Sequence, residues 1–241
     1  MSGHSKWKNI MHKKEKSDTQ RAKIFTKIGR EITLAVKEFG TDVNSNTKLR
    51  DIIAKAKTNN VPNENIDRII KKAAGDDGND NYEEINYEGY GPKGIAVIVE
   101  TLTDNRNRTA GEMRHYFDKY GGNLGQSGSV SWMFAEKGVI VIEKGTCDEE
   151  KLLEDLLNVG ADDYSEEDEV FEIYTTSDAF SEIREKLEQL KYTFLSAEVE
   201  MVPNTYIALA EEDDITKMQK LMEMLEDNDD VQNIWHNWDE N

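Results

Sequence analysis

Nine basic side chains crowd the first 30 residues (Lys6, Lys8, Lys13, Lys14, Lys16, Arg21, Lys23, Lys27 and Arg30), and only Glu15 and Asp18 oppose them. Cations at this density hold phosphate oxygens, and Trp7 and His12 among them add rings on which bases can stack. The chemistry they suggest is nucleic-acid binding; the alternative is a charged face that is merely solvated. A second group, Thr103-Asp104-Asn105-Arg106-Asn107-Arg108-Thr109, lies where a strand gives way to a helix. The free amides of a helix start, together with Arg106 and Arg108, would hold a phosphate. The competing reading is a helix cap whose arginines pair with carboxylates elsewhere. A third group, from Gly121 to Gly128, is either a loop that cradles a phosphate with its amides or, more commonly, a helix stop followed by a turn.

Catalytic patterns are missing from this inventory. The four histidines, His4, His12, His115 and His236, stand at neither H-E-x-x-H nor zinc-finger spacing. Cys147 precedes Asp148 and Glu149, which raise a thiol pKa and disfavour a nucleophile. The chain has no G-x-S-x-G, no Walker A lysine and no G-x-G-x-x-G after a strand. Asp77, Asn79, Asn81 and Glu88 imitate a calcium loop, but Tyr82 stands where its turn glycine belongs. No enzymatic activity, cofactor or metal is expected.

The elements that position these groups follow from periodicity. Ile24, Phe25, Ile28, Ile32, Ala35, Val36 and Phe39 share helical spacing over residues 20–39, and Gly40 provides a stop. A second helix over 47–58 has Asn46 as its cap and Leu49, Ile52, Ile53 and Ala56 inward. A third starts at Pro62, carries Ile66, Ile69, Ile70 and Ala73 inward, and ends at Gly75. Residues 75–82 read as a linker. Beyond it come strands over 94–101 and 129–135 around a helix over 106–120. Then follow a strand over 138–142, a helix over 149–159, a strand over 169–175 and a helix over 179–190. Strands over 193–199 and 205–210, a helix over 215–225 and a strand over 231–238 complete the chain.

These elements predict an α+β protein: a three-helix bundle followed by two ferredoxin-like α/β domains, one inserted in the other. The boundaries are 1–75 for the basic helical domain with its extended N-terminal arm, 76–135 plus 203–241 for one α/β domain, and 136–202 for the inserted one. A linear division is the alternative, and it leaves the first unit without its second half.

Of 241 residues, 49 are Asp or Glu and 30 are Lys or Arg, a net charge of -19 that by itself argues against a nucleic-acid partner. The charge is segregated, however. Residues 1–75 hold 17 Lys and Arg against 8 Asp and Glu, whereas residues 76–241 hold 13 against 41. With a Debye length of about 8 Å at physiological salt, an acidic body a domain-width away hardly cancels the head's local potential. No apolar run approaches the roughly 20 residues of a spanning helix, the N-terminal stretch is too polar for a signal segment, and a lone cysteine suits a reducing compartment. A cytoplasmic protein without membrane contact is expected.

Six motifs then add a resemblance. Gly3-His4-Ser5-Lys6-Trp7, Asn9-Ile10, Phe25-Thr26-Lys27, Tyr87-Glu88-Gly89-Tyr90-Gly91-Pro92, Thr103 to Thr109 and Gly121-Gly122-Asn123-Leu124-Gly125 occur in the order seen in the YebC/PmpR family, which the chain resembles densely over 1–130 and more loosely beyond. Two departures are Thr47, where the pattern usually has proline, and Lys72-Ala73-Ala74-Gly75 in place of a more glycine-rich helix end. The resemblance implies one helical and two α/β domains and no catalysis. Its bacterial members are described as DNA-binding transcriptional regulators, others as ribosome-associated factors, and mitochondrial members look like translational activators. The reading is a nucleic-acid-binding regulator of gene expression, with a ribosomal-RNA-binding translation factor as the alternative. Lys6, Lys8, Lys13, Lys14, Lys16, Arg21, Lys23, Lys27 and Arg30 would meet phosphates with His12 beside them, Trp7 would stack, and Arg106 and Arg108 would form a second contact.

Overall fold

A computed structural model describes residues 18–75 and 81–240. Among the described residues the first three helices are α1 (Asp18–Phe39), α2 (Thr47–Thr58) and α3 (Asn63–Gly75). Their apolar stripes close on one another: Ile28, Ile32, Ala35, Val36, Leu49, Ile52, Ala56, Val61, Ile66 and Ala73 form a buried cluster made of head residues alone. α1 stops at Gly40, whose φ of +81° suits a residue without Cβ and whose amide donates to Val36 O at 2.8 Å. Buried Asn46 does two jobs. Its Oδ1 accepts from Leu49 N at 2.9 Å and caps α2, while its Nδ2 donates to Ala35 O and Gly40 O and so fastens α2 to the end of α1. Phe39, expected inward, is exposed on the last residue of α1.

The remaining elements are β1 (Glu83–Tyr90), β2 (Ala96–Thr103), α4 (Arg106–Lys119), β3 (Asn123–Leu124), β4 (Phe134–Glu143), α5 (Glu149–Val159), β5 (Asp163–Glu166), β6 (Val170–Thr176), α6 (Ser177–Gln189), β7 (Ser196–Pro203), β8 (Ile207–Ala208), α7 (Glu212–Asp227), β9 (Val231–His236) and β10 (Trp238–Asp239). One sheet has the order β3-β1-β2-β9 and another the order β5-β6-β4-β7, while β8 and β10 make a small parallel pair. The second sheet, with α5 and α6 on it, has the β-α-β-β-α-β topology of a split β-α-β sandwich.

β2 is apolar on both faces because both are covered. Val97 and Val99 pack with Met113 and Phe117 of α4 and Met218, Leu221 and Leu225 of α7. Ala96 and Ile98 turn the other way and join Val130, Phe134, Met201 and Trp235 in a seam toward the second sheet.

Several elements differ from the periodicity reading. β1 has only Ile85 and Tyr87 as large apolar residues before Tyr90, yet it is an inner strand, paired with β2 over its whole length and with β3 at its end. β5 is an acidic edge strand whose identity comes from pairing with β6. Residues 129–135 are not a separate strand. Ser131–Met133 forms a 3-10 turn, and β4 then runs unbroken from Phe134. The cause is Glu88, whose carboxylate accepts from the amides of Gly128, Val130 and Ser131 and removes them from any ladder. Buried Asn237 separates β9 from β10: its Oδ1 accepts from Ala96 N at 2.8 Å, and its own carbonyl accepts from Ile207 N.

Candidate nucleic-acid interface

Lys6, Trp7, Lys8, His12, Lys13, Lys14 and Lys16 lie outside the described residues. Of the head cations that remain, Arg21 is exposed, while Lys23, Lys27 and Arg30 are half-buried and follow one another at helical spacing down one face of α1. That face meets the turn joining α7 to β9. Lys23 Nζ lies 2.8 Å from Asp227 Oδ1 and also donates to the Asp227 carbonyl, and Lys27 Nζ donates to Glu226 O at 3.0 Å. Arg30 Nη1 donates to Asp229 O at 2.7 Å and to Asp230 Oδ1 at 2.9 Å, and its guanidinium stacks over Tyr82. The hydrogen bond to Asp227 holds the Lys23 ammonium above its ordinary pKa.

The second predicted group converges on the same carboxylate. Asn105 caps α4 by accepting from Arg108 N, and the Thr103 hydroxyl accepts from Asn105 N. Arg108 Nη2 donates to Asp230 Oδ2 at 2.6 Å and to Asp104 Oδ1 at 2.9 Å. The hydroxyls of Thr109 and Thr103 donate to Asp230 Oδ2 at 2.8 and 3.0 Å. Burial by itself would raise the Asp230 pKa, but these donors and Arg30 together hold it below the ordinary value. The structure thus joins Arg30 and Arg108, 78 residues apart in the chain, on the two oxygens of one buried side chain. Arg106 is not drawn in. Its side chain is 69% exposed, and Glu83 stands 3.7 Å away.

Asp230 was missed in the sequence because it closes an acid-rich stretch, Glu226-Asp227-Asn228-Asp229-Asp230, that reads as ordinary solvated surface. Glu88 was missed for a related reason: only the fold places it beneath the glycine-rich turn. Of the amides in the candidate cradle, that of Gly128 donates to this internal carboxylate at 2.8 Å, joined by those of Val130 and Ser131 just beyond it, while Gly122 N donates to Phe117 O and Gly125 N to the Glu88 carbonyl; the Glu88 pKa is set by burial, which raises it, against the three amides on its carboxylate, which prevail and lower it. Next to this pinned turn the Trp132 ring is 71% exposed, with its Nε1 donating to Ser129 O.

The opposite side of the head is held by α2. Lys55 sits between Glu31 at 3.1 Å and Glu198 of β7 at 3.0 Å, Lys48 reaches Glu84, and Arg184 of α6, itself buried, reaches Asp51. Burial depresses the Lys55 pKa, but Glu198 and Glu31 outweigh it and keep the ammonium above its ordinary value. A cavity of about 350 Å³ beside these residues is lined by Glu31, Glu84, Glu100, Glu198 and Glu200 as well as the two lysines. Its walls repel phosphate, so this cleft does not suit a nucleic-acid backbone. Among the described residues no cluster of His, Cys, Asp and Glu could hold a metal ion, and no helix is long and apolar enough to cross a membrane.

Comparison with known proteins agrees with this architecture. Residues 5–76 match the family model described as the TACO1/YebC protein N-terminal domain, and residues 82–238 match that of the TACO1/YebC second and third domain. The chain is 58% identical over 241 residues to a "Probable transcriptional regulatory protein" of Caldicellulosiruptor saccharolyticus, covering 100% of this chain and 99% of the relative. It is 59% identical over 239 residues to a protein of the same description from Acetivibrio thermocellus, covering 99% of each. Among solved structures, a conserved hypothetical protein of Aquifex aeolicus superposes with a TM-score of 0.83 at 43% identity, covering 92% of both chains.

Proposed function

The chain belongs to the TACO1/YebC family, and we propose that it is a non-enzymatic, cytoplasmic transcriptional regulator that binds nucleic acid through its helical head. The observation that carries this reading is the separation of charge onto a separately folded unit. Residues 1–75 hold 17 cations against 8 carboxylates, and the helices of this segment close an apolar cluster of their own. A unit of this kind approaches a phosphate backbone while a body holding 41 carboxylates faces away from it. Lys6, Lys8, Lys13, Lys14 and Lys16 take the phosphates and Trp7 stacks, with Arg21 and exposed Arg106 available as further contacts. Lys23, Lys27, Arg30 and Arg108 contribute when their carboxylate and carbonyl partners give way. The names of the relatives support transcription as the process.

The test is binding of a fluorescent duplex and the corresponding single strand as a function of salt. Five neutralised phosphates give a log-log slope of about -4.5 for duplex DNA or about -3.5 for a single strand. A slope near zero refutes phosphate contact. Crosslinking in cells, followed by sequencing of the bound nucleic acid, then assigns the target. Promoter DNA supports transcription, whereas ribosomal RNA moves the function to translation.

A further inference from the structure

We propose that the acidic turn at residues 226–230 is an internal substitute for a nucleic-acid backbone: it covers the phosphate-binding face of α1, and a bound strand displaces it. This rests on the reading that the head binds nucleic acid, and adds how that surface is regulated. Lys23, Lys27 and Arg30 span about 10 Å along the helix at 1.5 Å per residue. A nucleic-acid strand carries one negative charge per nucleotide at regular intervals, so a row of three cations on one helix face suits a run of successive phosphates. In the structure the same row is met by oxygens from four of the five residues 226–230: Glu226 O, Asp227 O and Oδ1, Asp229 O and Asp230 Oδ1. Two of these oxygens belong to carboxylates and three to carbonyls, so the turn offers the α1 cations the mixture of charge and hydrogen-bond acceptors that a phosphate backbone would also offer.

The construction of the contact suits it to release. The head's apolar cluster is made of head residues alone, so the α1 contact adds polar groups and not core to the junction. The α1 contact is made of ion pairs and hydrogen bonds; at its outer end the Lys23 and Asp227 side chains are 34% and 66% exposed, where salt and a competing polyanion act directly, while at its inner end Asp230 is 5% exposed and gives way last. Tyr82, under Arg30, lies at the chain segment that leads from the head into β1, so movement of α1 is felt where the two units join. The turn thereby makes access to α1 depend on a ligand carrying several successive phosphates, because one phosphate cannot replace all of these acceptors at once.

The experiment compares the full chain, the variant Asp227→Asn with Asp229→Asn, and a charge-matched control, Asp168→Asn with Glu169→Gln, on the exposed turn between β5 and β6. The probe is a fluorescein-labelled oligodeoxynucleotide of about 20 residues, as single strand and as duplex. The turn variant binds about two- to fivefold more tightly than the control at low salt. In parallel, carbodiimide, which joins a lysine amine to an adjacent carboxylate, couples Lys23 to Asp227 and Lys144 to Glu166 in the free protein, the two pairs being 2.8 and 2.7 Å apart. Saturating oligonucleotide suppresses the first crosslink and leaves the second unchanged. If the oligonucleotide binds but the Lys23–Asp227 crosslink persists and the two variants bind equally, displacement is refuted and nucleic-acid binding stands. If no chain binds either oligonucleotide, the nucleic-acid reading falls, and displacement with it.

Discussion

Replacing Asp230 by alanine tests the junction most directly. Its carboxylate, with a side chain only 5% exposed, accepts from Arg108 at 2.6 Å, Arg30 at 2.9 Å, Thr109 at 2.8 Å and Thr103 at 3.0 Å. Two hydrogen bonds from charged donors at about 1.5–3 kcal/mol each, and two from hydroxyls at about 1 kcal/mol each, set an upper bound of about 8 kcal/mol. The expected loss is smaller, because both guanidiniums keep other partners. Arg108, 43% exposed, retains Asp104 and water; Arg30 retains the Asp229 and Leu102 carbonyls. Of the threonine hydroxyls, Thr109 can turn to Thr103 Oγ1 at 2.8 Å or to the Asn105 carbonyl at 3.2 Å, which leaves Thr103 as the donor that loses its acceptor. The net cost is about 2–4 kcal/mol, in the range for breaking a partly buried pair. Because the folded carboxyl titrates below its unfolded value near 3.8, its contribution is fully present above about pH 4 and disappears as pH falls through the folded value. The gap between wild type and variant is therefore constant from about pH 5 to 8 and narrows in acid. Urea unfolding followed by tryptophan fluorescence at a series of pH values measures it. A gap below about 0.5 kcal/mol at neutral pH, or one that widens in acid, refutes this account.

Two further substitutions probe the supports on either side of the interface. Glu88→Gln weakens the pinning of the Gly128, Val130 and Ser131 amides, at about 1.5–3 kcal/mol, and speeds limited proteolysis of the turn around Gln126 to Trp132. Glu88 has a folded pKa below its ordinary 4.5, so its contribution is present above that value and lost as pH falls through the folded one; the variant's stability is accordingly flatter in acid, and an unchanged acid limb counts against the assignment. Lys55→Ala leaves Glu31 and Glu198 facing each other without their shared cation and costs about 2–4 kcal/mol. Hydrogen exchange over α2 and β7 rises together in that variant, and unaltered protection of either element contradicts a role for Lys55 in holding the head to β7.

The head was legible in the sequence at nearly the level of single residues. Asn46 as a cap, the inward Leu49, Ile52 and Ala56, and Gly40 and Gly75 at helix ends all concern residues within a few positions of one another, and the structure places them so. β1 and β5 were not legible. Their sequences, Glu83 to Tyr90 and Asp163 to Glu166, are too polar to announce strands, and only the ladders to β2 and β6 make them so. The stretch 129–135 failed in the opposite sense: its apolar residues suggested a strand, but Glu88, 40 residues away from Gly128, had already taken the amides.

The sequence by itself determined the helical head, the segregation of charge between head and body, and the family motifs, because each is written in neighbouring residues or in their sum. The partners of the motif cations were decided only by tertiary structure. Arg108 and Asp230 stand 122 residues apart, and Arg30 and Asp230 200 apart; no spacing rule reaches so far, and nothing local separates Asp230 from the acidic residues before it. Folding brought that one carboxylate out of water beside two guanidiniums, where a bare charge is costly and a paired one is held. A segment that could have been a phosphate site or a helix cap became a cap tied to a buried acid, and the cations of α1 became partners of the acidic turn at residues 226–230.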